Sequence, residues 1–147
     1  MHLDAVLFVC TLNAVRSPMA KGLLRRLRPE LTVKSAGLEP GEPDHLMVAV
    51  MAELGLDLSK HSPHRLDGFK PGQFGLVISL SPEAHHHALE WTRHARTPVE
   101  YWAFPDVTVE EGSREQRLDA YRALRDDIDK RLKSHFQPSR PFVSTGL

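Results

Sequence analysis

The chain has 147 residues, which is enough for one compact domain and too few to divide comfortably into two. Its 19 Lys and Arg balance its 19 Asp and Glu, so it lacks the overall positive charge expected of a protein that binds nucleic acid or anionic lipid. The hydrophobic fraction is 41%, and no run approaches the roughly 20 apolar residues of a membrane span. We therefore expect neither nucleic-acid nor membrane partners.

The start of the chain and its cysteine content indicate the cellular compartment and the thiol chemistry. The opening residues MHLDAVLFVC show no basic leader and no signal-peptide cleavage pattern, so we expect a cytoplasmic protein. The single cysteine, Cys10, excludes an intramolecular disulfide and a cysteine-rich zinc site. Cys10 is therefore either a small buried apolar residue or a reactive thiol.

Apolar runs and turn residues predict four strands that alternate with helices. The strands are predicted at 5–9, 31–35, 76–80 and 99–104. The helices are predicted from Ser17 to the stop at Pro29, over 44–54, from Pro82 onward, and from Ser113 to about Leu132. Ser17 is the expected N-cap of the first helix, with Pro18 at its first position.

This alternation predicts a single α/β domain over residues 1–136, in three layers, with a four-stranded parallel sheet and helices on both faces. Residues 137–147 contain two prolines and little apolar periodicity, so we expect a C-terminal tail that is mobile or held by a neighbour. Ligands of such sheets bind beyond the carboxyl ends of the strands, at a topological switch point. Cys10 lies at such an end.

The segment CTLNAVRS has the pattern of an oxyanion-binding loop placed after the first strand. Five residues separate Cys10 from Arg16, so the backbone N–H groups between them can converge on one centre, to which the next helix adds its dipole. A guanidinium can hold two oxygens of an oxyanion above the sulfur, and this positive surround favours the thiolate. Asn13 suits the positive φ that a tight curl requires. The predicted phosphate-binding loop comprises Thr11, Leu12, Asn13, Ala14, Val15, Arg16 and Ser17.

The stretch VLFVCTLNAVRSPMAKGLL resembles the opening of the low-molecular-weight protein tyrosine phosphatase family, whose signature is C-x5-R-S-P after a buried strand. The likeness continues in the blocks that begin KSAGLEPGEPDHL, GLVISLSPEA and FPDVTVEEGSREQ, and it extends to about Leu132. The thioredoxin-coupled arsenate reductases share this fold and loop.

The resemblance implies a two-step reaction without a metal or organic cofactor. Cys10 would take the phosphoryl group as a thiophosphate, while Arg16 and the loop amides bind its oxygens. Asp106 matches the general acid, although an aspartate there could also be an ordinary turn residue. The resemblance further implies that a hydrogen-bonded support holds the loop, formed by Asn13, Ser17, Ser35 and His61.

Several positions depart from the family pattern and keep other functions open. Leu12 occupies the usual glycine position, where it would narrow the pocket or strain the curl, and Val15 replaces a second cysteine. The segment 107–109, VTV, lacks the aromatic side chains that would stack on a phosphotyrosine ring. The motif YWAFPD resembles the arsenate reductases, but their thioredoxin-coupled form needs two further cysteines that this chain lacks.

Three hypotheses therefore stand. The first is a phosphatase that acts on phosphotyrosine, as in a phosphotyrosine protein, or on small aryl phosphates. The second is an arsenate reductase that uses an external small thiol, and the third is a noncatalytic oxyanion-binding or regulatory protein. In each case the expected ligand is phosphate, arsenate or a similar oxyanion.

Two charged clusters are interpreted as ordinary surface. Three consecutive helical positions point in three directions and cannot chelate one metal ion, so the run from His85 to His87 predicts a solvated face and no metal site. The basic residues of the first helix are interpreted as its solvent-facing side. They are Lys21, Arg25, Arg26 and Arg28.

Overall fold

The computed structural model of the chain describes residues 4–137. Its four strands are β1 (Ala5–Cys10), β2 (Thr32–Gly37), β3 (Leu76–Ser79) and β4 (Val99–Tyr101). Its four α-helices are α1 (Arg16–Leu27), α2 (His45–Ala52), α3 (Pro82–Trp91) and α4 (Arg114–His135). Short 3-10 helices span Leu66–Gly68, Pro71–Gln73 and Val107–Val109. Apart from Gln137, the predicted C-terminal tail lies outside the described residues.

The four strands form one parallel sheet in the order β2-β1-β3-β4. The chain passes from β1 to β2 on one side and later places β3 on the other side, so the switch point of the sheet lies at the carboxyl end of β1. Cys10 is the last residue of that strand. The predicted fold class is confirmed, and the topology places the predicted loop where ligands of such sheets bind.

Helices cover both faces of the sheet, because alternate residues of β1 are buried on opposite sides. Val6 and Phe8 belong to the larger apolar core, which also contains residues of α1, α2 and α4. Leu7 and Val9 belong to a smaller core that includes Ala84 and Ala88 of α3. Residues 6–9 are fully buried, as the continuous apolar run of β1 predicts.

Two predicted helix starts are confirmed by their capping contacts. Asp44 caps α2, since its Oδ1 accepts from the N–H groups of Leu46 and Met47, and Tyr121 of α4 donates to its Oδ2 at 2.8 Å. Ser113 and Gln116 form the predicted capping box of α4. Asp44 therefore both caps the start of α2 and links this helix to α4.

The predicted start of α1 is wrong. The helix begins at Arg16, and its N-cap, Val15, makes no side-chain capping bond. Ser17 lies inside the first turn and is buried, with its Oγ 2.9 Å from Cys10 Sγ. The Ser17 hydroxyl is directed at the sulfur instead of the backbone of its helix, so it does not cap.

No helix within residues 4–137 combines the length and the apolar character that crossing a membrane would require.

Gly37 at the end of β2 allows the loop after β1 to pack directly against it. A Cβ at this position would lie 2.8 Å from the Asn13 backbone nitrogen and 2.9 Å from the Leu12 carbonyl carbon, and backbone atoms there have no flexible end that could move aside. The residue is glycine because the loop backbone occupies the space of a side chain.

We predict that Gly37→Ala lowers the free energy of unfolding by about 1–3 kcal/mol, because it overpacks a backbone contact. Gly72→Ala is the matched control, since a Cβ there meets nothing within 4 Å. That variant should be unchanged or up to about 1 kcal/mol more stable. Urea denaturation measures both, and equal stabilities of the two variants would contradict the role assigned to Gly37.

Candidate active site

The loop after β1 lines an open cavity of about 550 Å³ at the switch point of the sheet. Cys10 and Arg16 lie on its wall with Asp106 from the far side. The remaining lining residues are Thr11, Leu12, Ala14, Val15, Pro82, Glu83, Phe104 and Thr108. The structure thus brings together the three residues predicted to react with or bind a phosphoryl group, although 96 positions of sequence separate Cys10 (position 10) from Asp106 (position 106).

Backbone hydrogen bonds hold the curl of the loop. The Thr11 carbonyl accepts from the N–H groups of Leu38 and Glu39 at 2.8 and 3.1 Å, and the Leu12 carbonyl accepts from Gly41 N–H at 2.9 Å. Asn13 has a φ of 53°, as its type predicts, and it is the one non-glycine residue with positive φ among residues 4–137. The segment after β2 therefore anchors the loop from outside.

Leu12 does not strain the curl. Its φ is not in the left-handed region, since the positive φ falls on Asn13. The Leu12 side chain is 43% exposed and lines the wall of the cavity. The substitution for glycine therefore changes the surface that a ligand meets and leaves the loop backbone in an ordinary conformation.

Asn13 and Ser17 form a directed hydrogen-bond chain that ends on the cysteine sulfur. The Asn13 side-chain oxygen accepts from His64 N–H at 2.9 Å, which orients the amide so that its Nδ2 donates to Ser17 Oγ at 2.7 Å. Since Ser17 Oγ accepts this bond, its own proton is available for Cys10 Sγ at 2.9 Å. An O–H donor directed at sulfur stabilises the thiolate.

His61 and Lys21 support the backbone of Asn13 behind the loop. The Asn13 carbonyl can only accept, so the His61 Nε2 at 2.9 Å carries the proton and Nδ1 accepts from the Lys21 ammonium at 2.7 Å. Burial lowers the pKa of His61, with nearby positive charge acting in the same direction, so the ring is neutral at pH 7. Lys21 and His61 thus hold the Asn13 backbone, while the Asn13 side chain holds Ser17 at the sulfur.

Lys21 corrects the interpretation of the basic residues on α1 as solvent-facing. It is 9% exposed, although Arg25 and Arg26 are exposed as expected. Lys21 follows Ser17 by four positions, so the two side chains lie on one face of the helix. That spacing was the available sequence signal for its role.

The expectation that Ser35 supports the loop through a hydrogen bond is wrong. Ser35 is 3% exposed on β2, and its Oγ has no hydrogen-bond partner within the described part of the chain. Asn13, Ser17 and His61 do make hydrogen bonds that hold the loop. Lys21 and the His64 backbone take part in these bonds, and Ser35 does not.

Arg16 and Asp106 reach the cavity from different anchors. Arg16 Nη1 donates to the Phe104 carbonyl at 3.0 Å and to the Leu80 carbonyl at 3.5 Å. These bonds hold the guanidinium beside the loop and leave the N–H groups of Nε and Nη2 for a ligand. Asp106 Oδ1 accepts from the N–H and hydroxyl of Thr108 at 3.0 and 2.6 Å, an Asx turn that leaves Oδ2 for a proton. The aspartate is therefore both a turn residue and a wall of the cavity.

The histidine run is solvated only in part. His86 and His87 are exposed, but His85 is half-buried, with its Nδ1 2.8 Å from Ser79 Oγ and its ring stacked on Tyr101. Within residues 4–137 no three His, Cys, Asp or Glu side chains are grouped so that they could hold a metal ion.

The lowered pKa of His61 predicts that the protein loses stability as the pH falls. The unfolded state takes up a proton near pH 6.5, whereas the folded state resists it, so the free energy of unfolding decreases as the pH drops through that value. Urea denaturation between pH 7.5 and 5.5 should give a shallower slope for His61→Gln than for the wild type. His94→Gln, at an exposed position, should keep the wild-type slope, and identical slopes in all three proteins would contradict the burial of a neutral His61.

Comparison with known proteins agrees with this geometry. The family described as "Low molecular weight phosphotyrosine protein phosphatase" matches residues 5–139. An arsenate reductase of Bacillus licheniformis is 31% identical over 134 residues, which cover 90% of this chain and 95% of the relative. A glutaredoxin arsenate reductase of Synechocystis is 29% identical over 130 residues, covering 88% of this chain and 93% of the relative.

The same fold occurs in a solved structure. The tyrosine phosphatase amsI of Erwinia amylovora superposes with a TM-score of 0.72 over 88% of each chain, at 22% identity. The match of the family extends over nearly the whole described chain and includes the loop, the sheet and α4. The chain therefore belongs to the low-molecular-weight phosphotyrosine protein phosphatase family.

Proposed function

We propose that the chain is a cysteine-dependent phosphomonoesterase that acts on phosphotyrosine or small aryl phosphates. The observation that carries the proposal is the convergence of Cys10, Arg16 and Asp106 on one cavity, with the Ser17 hydroxyl at the sulfur. A nucleophile, an oxyanion binder and a proton donor are the three groups that phosphoryl transfer needs in such a site.

In the first step the Cys10 thiolate attacks phosphorus, forming the S–P bond as the bond to the leaving oxygen breaks. Asp106 protonates that oxygen, while Arg16 and the loop N–H groups bind the equatorial oxygens. In the second step Asp106 takes a proton from water as the water oxygen attacks phosphorus. The S–P bond breaks, phosphate leaves and the thiolate is restored, with the Ser17 hydroxyl stabilising it as leaving group.

The apolar wall of the cavity favours an aryl leaving group over a sugar. Phe104 and Leu12 line it, although the 107–109 segment supplies no aromatic side chain there. A second, adjoining cavity of about 670 Å³ shares Thr11 and Glu83 with it and offers space for a larger group attached to the phosphate.

The test is hydrolysis of para-nitrophenyl phosphate by fresh, reduced protein. Cys10→Ser should abolish it, and Asp106→Asn should lower kcat about 10²-fold to 10³-fold, with a larger loss on phenyl phosphate, whose leaving oxygen depends more on a proton. Absence of hydrolysis by the reduced wild-type protein would contradict the proposed phosphatase activity.

Asp57→Asn is the matched control for Asp106. Asp57 makes the same Asx turn, since its Oδ1 accepts from the N–H and hydroxyl of Ser59 at 2.9 and 2.6 Å, but it does not line the Cys10 cavity. Its substitution should leave kcat unchanged. An equal loss in both variants would mean that the turn, and not the acid, matters at Asp106.

Arsenate reduction with an external thiol is the second candidate, favoured by the arsenate reductases among the relatives. The Cys10 thiolate would displace water from arsenate and form an S–As bond. An external thiolate would then attack the Cys10 sulfur, so that the S–As electron pair stays on arsenic and arsenite leaves. A second thiol would reduce the resulting mixed disulfide, because Cys10 is the single cysteine of the chain.

The reduction assay supplies arsenate, glutathione and glutaredoxin and measures the arsenite that is released. Arsenite formation that requires Cys10, in protein without phosphatase turnover, would replace the first proposal with the second. Oxyanion binding without either reaction would leave the noncatalytic function.

A further inference from the structure

A small, separate cavity of about 140 Å³ lies at the outer edge of β2, behind the phosphate-binding loop. Its lining combines three cations with one buried hydroxyl. The lining residues are Lys21, Arg25, Lys34, Ser35, His64 and Phe69. The cavity shares no lining residue with the Cys10 cavity.

The positive charge of this cavity has no acidic counterpart in its lining. Within residues 4–137 the ion pairs involve none of the three cations, and Arg25 directs two donors at the neutral Val33 carbonyl, at 3.0 and 2.6 Å. Burial, together with the charges of Arg25 and Lys34, lowers the pKa of Lys21 to about 8. These cations repel one another, and an anion between them would relieve the repulsion.

Ser35 supplies a donor without a protein partner. The residue lines the cavity, but its hydroxyl oxygen is covered and makes no hydrogen bond within the described part of the chain, a costly arrangement for a polar group. On the outer edge of β2 the Val33 carbonyl accepts from Arg25, and the Gly37 N–H donates to the His64 carbonyl. By the alternation of a strand, the Ser35 N–H faces this same outer edge.

We propose that this cavity binds one small inorganic oxyanion, of the class of phosphate and sulfate, at a site separate from the Cys10 loop. The volume is close to that of a cavity that holds one benzene ring, so it admits a tetrahedral ion and excludes a nucleotide or a peptide. The three cations surround the ion, and the Ser35 side chain rotates to direct its hydroxyl at it.

The position of Lys21 couples this site to the loop. Lys21 lines the cavity and also donates to His61 Nδ1, and His61 in turn donates to the Asn13 carbonyl of the loop. A bound anion stabilises the Lys21 ammonium and so strengthens its bond to His61. The proposal does not depend on which reaction Cys10 performs.

The test is a titration of the isotope-labelled full chain with sodium sulfate, at ionic strength kept constant with sodium chloride, followed by amide chemical shifts. We expect the amides of Lys34, Ser35 and His64 to shift and saturate along a curve distinct from that of the loop amides 11–15. Shifts confined to the loop, or shifts near Ser35 that rise without saturation, would overturn the proposal.

Three variants sharpen the result. Lys34→Gln should weaken sulfate binding at this site about fivefold, the effect of one charge a few ångströms away in a hydrated setting. Ser35→Ala, which removes only the hydroxyl, should weaken it about tenfold. Lys130→Gln makes the same charge change at an exposed position of α4 outside the cavity and should leave it unchanged. An equal loss in Lys34→Gln and Lys130→Gln would show a general charge effect and overturn the proposal.

Discussion

The contact of 2.9 Å between the Ser17 hydroxyl and the Cys10 sulfur is the interaction on which the rest of the site depends. It turns Ser17 inward, so α1 begins without a side-chain cap, and it requires Asn13 to lie where its amide reaches the same hydroxyl. Asn13 reaches that place with positive φ, and the loop backbone then fits against β2 only because position 37 is glycine. Local costs in helix capping and backbone conformation are thus offset by one organised donor chain.

A buried lysine supports the Asn13 backbone from behind the loop. Burying an ammonium is unfavourable unless it finds partners, and Lys21 finds His61, whose own burial keeps it neutral and able to accept. The Asn13 carbonyl then determines which imidazole nitrogen carries the proton. Because Lys21 also borders the basic cavity beside β2, the charge balance of this cavity and the orientation of the loop share one residue.

In the proposed reactions the Cys10 sulfur would attack phosphorus or arsenic from the same place, and the surroundings of the loop would decide which reaction is completed. A disulfide relay within the chain is excluded because Cys10 has no second cysteine to pair with. Asp106 is held by its Asx turn on the cavity wall, where in the proposed phosphatase reaction it would protonate the leaving group. Leu12 and Phe104 make part of that wall apolar, so the shape of the attached group is selected by residues outside the oxyanion loop as well as within it.

The sequence by itself determined the four strands, the alternation with helices, the parallel sheet, and the placement of Cys10 and Arg16 around an oxyanion loop, because hydrophobic period and loop spacing are local properties of the chain. It also indicated the positive φ of Asn13. Only the tertiary structure decided that Ser17 contacts the sulfur and does not cap, that Lys21 is buried, and that Ser35 lines the basic cavity beside β2 and makes no bond to the loop. Those outcomes depend on tertiary contacts between segments that are far apart in the chain, and a local pattern of residue types does not specify such contacts.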